Sequence, residues 1–347
     1  MKRRRGEPAA KGGVMKRRRR GGAERLLEPI QTLHAAIRDA VVDACARQAT
    51  EQLAATAGDA GDTIYAVDRV GEDALVRGLA QLAHREPLCL IAEGIPGGSL
   101  VLPHGASEGD CRWRLLVDPL DGTRGLMYQK RSAWVLTGVA PNRGPATRLS
   151  DIVLAVQTEI PLLKQHLSEQ LWAFRGKGMQ ARRHNRILGA TESLTLRRSQ
   201  AATIAHGFAT IVRFFPGARE TLAAIDDEVV QALVKPEPRR AACFEDQYAS
   251  TGGELYELMA GHDRFIADLR PLVKSASPPL CCHPYDLCTA LIACEAGVII
   301  TDPSGAALDA PLDLTTDVAW VGYANEALRR AIEPVLQGAL RRRGLRP

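Results

Sequence analysis

The sequence has no continuous apolar run of membrane length, no apolar leader behind its basic start, no paired cysteine spacing and no internal repeat of solenoid length. The first absence argues against a helical membrane span. The second and third argue against a secreted disulfide scaffold. The eight cysteines, scattered from Cys45 to Cys294, are therefore expected as free thiols in a reducing, cytoplasmic setting. The fourth argues against a stacked-repeat architecture. The basic start also lacks aromatic residues and apolar periodicity, so it offers nothing for bases to stack on.

What is present is 347 residues of 46% hydrophobic content, enough for one large core or two modest ones. The net charge of +5 is deceptive. Residues 1–22 hold ten Lys/Arg against one Glu, so the body of the chain is mildly acidic. That segment nearly repeats itself at Met1 and Met15, and a disordered tail is expected over 1–23. It reads as a solvated extension, or as codons upstream of a start at Met15, in preference to a tether for nucleic acid or another polyanion.

Apolar positions at Leu26, Ile30, Leu33, Ile37, Val41 and Ala44 predict an amphipathic helix over 24–56. A second helix is expected over 70–83, with Asp68 delivered by a polar loop just ahead of it. LCLIAEG (88–94) reads as a buried strand ending on Glu93, followed by a Gly/Pro/Ser-rich excursion over 94–109. Further strands are expected at 113–119, 134–140, 151–160 and 171–178, the last closing in a glycine turn. Short strands and an acidic helical piece are expected over 182–238. Leu287, Ala290, Leu291 and Cys294 keep helical spacing, so a helix is expected from Asp286 to Gly297, before a strand at 298–301.

Carboxylates recur at the ends of these apolar elements: Glu93, the pair Asp118 and Asp121, and Asp286. Carboxylates near a core are costly unless a positive partner receives them. Hard divalent cations such as Mg²⁺ take several oxygen ligands and are commonly shared with substrate phosphate; a bridging aspartate between other carboxylates suits two of them. Pro119 sets the backbone after Asp118, and Gly122 allows the positive dihedral of a tight bend, so both carboxylates can face one point. The amides of Gly122 and Thr123 are placed to meet a phosphate. Helix capping accounts for Asp121 or Asp286 taken singly, but not for the four carboxylates together. Cys281, Cys282 and His283 are possible zinc ligands without the second paired-cysteine element, and His104 reads as solvated.

VDPLDGT (117–123) resembles the first signature of the inositol monophosphatase family, the lithium-sensitive, Mg²⁺-dependent phosphatases that include fructose-1,6-bisphosphatases and 3′-phosphoadenosine phosphatases. LIAEG (90–94) resembles the family's upstream metal-ligand strand, FRGKG (174–178) its central turn, and the stretch 284–305 its second signature. The resemblance spans about residues 25–335. It implies a layered α/β/α/β sugar-phosphatase fold, with an N-terminal α+β half (24–180) carrying most metal ligands and a C-terminal α/β half (181–347) carrying Asp286. By position, Glu93 would bind a first metal, Asp118 would bridge two, Leu120 would offer its carbonyl to the first, and Asp121 and Asp286 would complete the second. Asp68 would pair with Thr123 to polarise the attacking water, and two or three Mg²⁺ per site are implied. The implied activity is hydrolysis of a small phosphorylated polyol, sugar or nucleotide. Fructose-1,6-bisphosphatase and 3′(2′),5′-bisphosphate nucleotidase activities are the alternatives, and a non-catalytic polyanion-binding scaffold using the basic tail is a further one. A homodimer follows by analogy.

The pattern departs from the family at Gly94, where a second Glu is frequent, and at Tyr285, where Trp is usual. RGLMYQ from Arg124 and CFEDQYASTGG (243–253) also lack the family's usual residues on the substrate side. Myo-inositol 1-phosphate is therefore not assumed as the substrate. Arg124 is a candidate contact for a second phosphate or a carboxylate; Glu254, Glu257, Gln247 and Tyr256 are weaker substrate candidates.

Overall fold

The computed structural model describes residues 22–48, 52, 56–57, 64–84, 86–235 and 238–346. The basic tail up to Gly21, and most of the loop ahead of Asp68, lie outside the described residues.

Helix α1 (Glu24–Arg47) buries the expected stripe of Leu26, Ile30, Leu33, Ile37 and Val41. It stops well short of residue 56, because the stripe of buried side chains ends at Cys45 and Gln48 turns extended. Helix α2 (Ala66–Ala83) begins ahead of Val70, since the Asp68 carboxylate accepts the Tyr65 N–H at 2.7 Å and caps the first turn. Asp68 thus sits inside the helix, not in the loop before it.

Eight strands follow: β1 (Leu88–Ala92), β2 (Ser99–Leu102), β3 (Trp113–Asp121), β4 (Ala133–Pro141), β5 (Leu154–Ile160), β6 (Leu167–Phe174), β7 (Met179–Asn185) and β8 (Ala190–Leu194). They form one sheet in the order β8-β7-β6-β5-β4-β3-β1-β2, with β1 and β3 parallel and every other pair antiparallel. The excursion after Glu93 is therefore partly strand, with β2 turning back on β1. Strand β3 is buried along its whole length, and its alternating residues serve two cores: Leu115 and Val117 face α1 and α2, and Leu116 faces the opposite side.

The C-terminal part adds β9 (Phe208–Ile211), β10 (Asp263–Asp268), β11 (Ile299–Thr301) and β12 (Trp320–Tyr323), which form a second sheet in the order β9-β10-β12-β11. Helices α5 (Thr251–Ala260) and α6 (Ala290–Glu295) lie between the two sheets. The expected α/β/α/β order is present. A further helical layer of α4 (Arg219–Val234) and α7 (Glu326–Arg342) covers the second sheet through its own core. Among the described residues no helix is long and apolar enough to cross a membrane.

The helix expected from Asp286 is shorter than its pattern predicts. Asp286, Leu287 and Cys288 bond back only three residues, to His283, Pro284 and Tyr285, and regular α-helix holds only from Ala290 to Glu295. Close packing on β4 explains the loose winding: a Cβ on Gly138 would stand 2.8 Å from the Cys288 carbonyl oxygen.

Candidate metal centre

Residues three apart on a regular strand point to opposite faces. Asp118 and Asp121 do not, because β3 bulges between them: Asp118 pairs with Leu136 and Asp121 with Trp134, two residues apart on β4. Both carboxylates therefore face the layer of α5 and α6. Gly122 then takes φ +92°, where any Cβ would also stand 2.9 Å from that of Ser250, and the five-residue helix α3 (Thr123–Met127) opens. Asp286 comes from the opposite side, on the turns ahead of α6. Asp118, Asp121 and Asp286 each offer a carboxylate oxygen within 4.8 Å of the others. Glu93, directly after β1 and beside the parallel β3, lines the same cleft.

Burial dominates the electrostatics here. Desolvation, reinforced by Asp121, Glu93 and Asp286, pushes the Asp118 carboxyl well above its ordinary range. Desolvation and then Asp121 do the same to Asp286. Asp121 rises only to about 6, because donors oppose its desolvation: Ser250 Oγ at 2.8 Å and the Gly252 N–H at 2.6 Å both donate to Oδ2. Asp118 accepts the Leu120 N–H at 2.9 Å, and Asp286 accepts the His283 N–H at 2.6 Å. A crowded, buried, all-oxygen donor set that resists ionisation fits a hard divalent cation, which would supply the missing positive charge.

Beside this cluster the Thr123 hydroxyl lies 2.7 Å from Asp68 Oδ1 and 2.9 Å from the Leu120 carbonyl oxygen. Its single proton serves one acceptor at a time. Asp68 is held in place by the Tyr65 N–H on its other oxygen.

The far wall carries residues that sequence reasoning passed over: Phe214, Phe215 and Arg270 line the cleft with Arg124 and Tyr285. Arg270 is buried, donates through Nε and Nη2 to both oxygens of Asp268, and lies 4.6 Å above the Phe214 ring. The Arg124 guanidinium stands 5.3 Å from the Phe215 ring centre and 5.4 Å from that of Tyr65. Ser250 and Gly252 were also missed. Their signal was local: Ser250 caps α5 by accepting the Gly253 N–H at 2.9 Å, and Gly252 has no side chain because a Cβ would come within 2.9 Å of Asp121 Oδ2.

Two substrate candidates, Glu254 and Glu257, stand outside the cleft lining. The N-terminus of α5 meets the cleft through Ala249, Ser250 and Thr251 instead. Glu254 is 2% exposed in the interior and its carboxylate accepts no hydrogen bond from the described residues; Glu257 lines a separate cavity and pairs with His262. The other two candidates also lie off the cleft lining: Tyr256 donates to Glu169 at 2.8 Å beside that second cavity, and Gln247 binds the backbone of Ile211 and Arg213.

The sequence matches no family model and no curated protein. In architecture the chain shares its layered α/β fold with solved structures of other proteins. It is similar to the extragenic suppressor protein SuhB of Bartonella henselae at 17% identity and TM-score 0.63, covering 90% of this chain and 98% of that one. It is also similar to the holo fructose-1,6-bisphosphatase of Leishmania major at 14% identity and TM-score 0.68, covering 94% and 96%. A third likeness is to a Pyrococcus horikoshii protein described by its similarities to inositol-1 monophosphatase, at 15% identity and TM-score 0.60, covering 90% and 99%.

Proposed function

We propose that the chain is a Mg²⁺-dependent phosphomonoesterase acting on a small phosphorylated polyol, sugar or nucleotide. The observation that carries this reading is the convergence of Asp118, Asp121 and Asp286 within 4.8 Å beside the Thr123–Asp68 pair. The solved structures of like fold that are named as a fructose-1,6-bisphosphatase or for similarity to inositol-1 monophosphatase support it.

Glu93, Asp118 and the Leu120 carbonyl would hold one ion, and Asp118, Asp121 and Asp286 a second. Mg²⁺ in this set supplies charge neutralisation for the phosphate, a more acidic water and stabilisation of the leaving oxygen. The chain's own residues orient and take the proton. Asp68, fixed by the Tyr65 N–H, accepts the Thr123 hydroxyl proton, which turns a Thr123 lone pair toward water in the cleft. As water adds to phosphorus, its proton passes through Thr123 Oγ1 to Asp68 Oδ1, while the P–O bond to the substrate alcohol breaks and the departing alkoxide takes a proton from water. The Gly122 and Thr123 amides at the start of α3 receive phosphate oxygens.

Arg124 supports a second anionic group on the substrate, as in a sugar bisphosphate or a 3′(2′),5′-bisphosphate nucleotide, because its guanidinium is stacked against Phe215 at the cleft wall. The test is phosphate release from a panel of phosphorylated metabolites with Mg²⁺, with and without Li⁺. Release that Li⁺ inhibits and Asp118→Asn abolishes is expected. Arg124→Gln should raise KM for bisphosphates selectively. No release from any panel member would favour the polyanion-binding scaffold instead.

A further inference from the structure

Strand β5 is buried along nearly its whole length, yet at its centre stand two polar residues, Gln157 and Thr158, each 0% exposed. Strand alternation sends them to opposite faces. Thr158 meets α1, where its hydroxyl lies 3.0 Å from His34 Nδ1. Gln157 meets the layer between the sheets. Its Nε2 donates to the Gly252 carbonyl at 2.7 Å, and its Oε1 accepts from the Thr289 hydroxyl at 3.0 Å.

Both partners belong to the segments that complete the carboxylate cluster. The Gly252 N–H donates to Asp121 Oδ2 at 2.6 Å. Thr289 follows Asp286 by three residues, in the run of turns that precedes regular helix. Such i−3 turns have poorer hydrogen-bond geometry than an α-helix, so their register needs an outside anchor. Thr289 is 0% exposed and ties that run to the middle of the sheet.

We infer that Gln157 is a positioning residue, whose single amide ties Gly252 and Thr289 to one point of β5 and thereby sets the separation of Asp121 from Asp286. The inference rests on the reading of the cluster as a divalent-cation site. It predicts that cation affinity depends on a side chain that touches neither the cation nor its ligands. Residues of this outer kind typically change metal affinity about 10- to 100-fold when altered.

The test titrates the full chain, stripped with chelator, with Mn²⁺ alone by calorimetry, as wild type, Gln157→Met and Thr289→Val. Each protein is also melted in chelator. Gln157→Met keeps the side-chain volume and loses both hydrogen bonds; its Kd for Mn²⁺ is expected to rise about tenfold or more. Thr289→Val loses one bond and should show a smaller rise in the same direction. A lowered melting temperature with unchanged Kd is what a merely structural amide gives, and it overturns the inference. If Gln157→Met does not fold, Thr289→Val decides by the same criterion. Wild type that takes up no Mn²⁺ overturns the divalent-cation reading and this inference with it, whereas wild-type uptake unaltered in both variants overturns this inference alone.

Discussion

Asp118→Asn should make the metal-free protein more stable and the metal-loaded protein inactive. Asn keeps the shape of the side chain, and its Oδ1 can still accept the Leu120 N–H now held at 2.9 Å. What changes is the charge. Two unit charges at 4.8 Å, the outer limit of the separations in this cluster, repel by about 3 kcal/mol at an effective dielectric of about 20. Closer approach raises that figure and partial protonation of the buried carboxylates lowers it, so about 3 kcal/mol per neighbour is the working magnitude. In melting temperature this is on the order of 5 °C for a chain of this size. Mg²⁺ should act in the opposite sense: at about 100 times its Kd a bound ion adds about 2.7 kcal/mol to wild type, and the variant, lacking one of the proposed ligands, should gain far less. The order of stability should therefore invert on adding metal. Thermal melts of both proteins at pH 8, in chelator and in excess Mg²⁺, read this directly, with phosphate release as the activity check. If the variant in chelator melts at or below wild type, or if Mg²⁺ raises both equally, the carboxylates do not repel one another as argued and the cluster is not a cation site.

Thr123→Val removes the hydroxyl shared between Asp68 and the Leu120 carbonyl, and should lower kcat about 10²- to 10⁴-fold with metal affinity unchanged, while Thr123→Ser keeps most of the activity in steady-state kinetics. Gly138→Ala places a methyl 2.7 Å from Ile152 Cδ1 and 2.8 Å from the Cys288 carbonyl; denaturant unfolding should show a loss of about 1–3 kcal/mol, with weakened metal binding because the Asp286 turns are pushed off the sheet. Burial lowers the His34 pKa from 6.5 to about 3. Between those values the unfolded chain binds more protons than the folded one, so this contribution is whole above pH 6.5 and is lost as pH falls, at up to about 1.4 kcal/mol per unit. Unfolding measured between pH 4 and 8 should show that slope in wild type and lose it in His34→Gln.

The inward stripe of α1, the buried strands β1, β3, β4 and β5, and the turn at Gly122 were legible because each is a local periodicity or a local backbone requirement. So was the carboxylate set as a group, since Asp118 and Asp121 stand three apart in one motif and VDPLDGT carries a specific resemblance. Element ends were less legible. The starts of α2 and α6 depend on the Asp68 cap and on the close approach of Cys288 to Gly138, and neither is a matter of period.

Sequence alone determined which carboxylates stand at the ends of apolar elements, and hence where a cation site was to be expected. Tertiary structure decided how they meet. Only the bulge in β3, read against Leu136 and Trp134, turns Asp118 and Asp121 to one face. Only the packing of α5 on β4 brings Ser250 and Gly252 to Asp121, and leaves Glu254 and Glu257 off the cleft lining. The far wall of Arg124, Phe214, Phe215 and Arg270 draws on three segments, the first and last 146 positions apart in the sequence. No local pattern encodes such a meeting, because its energy comes from burial that exists only once the layers have closed.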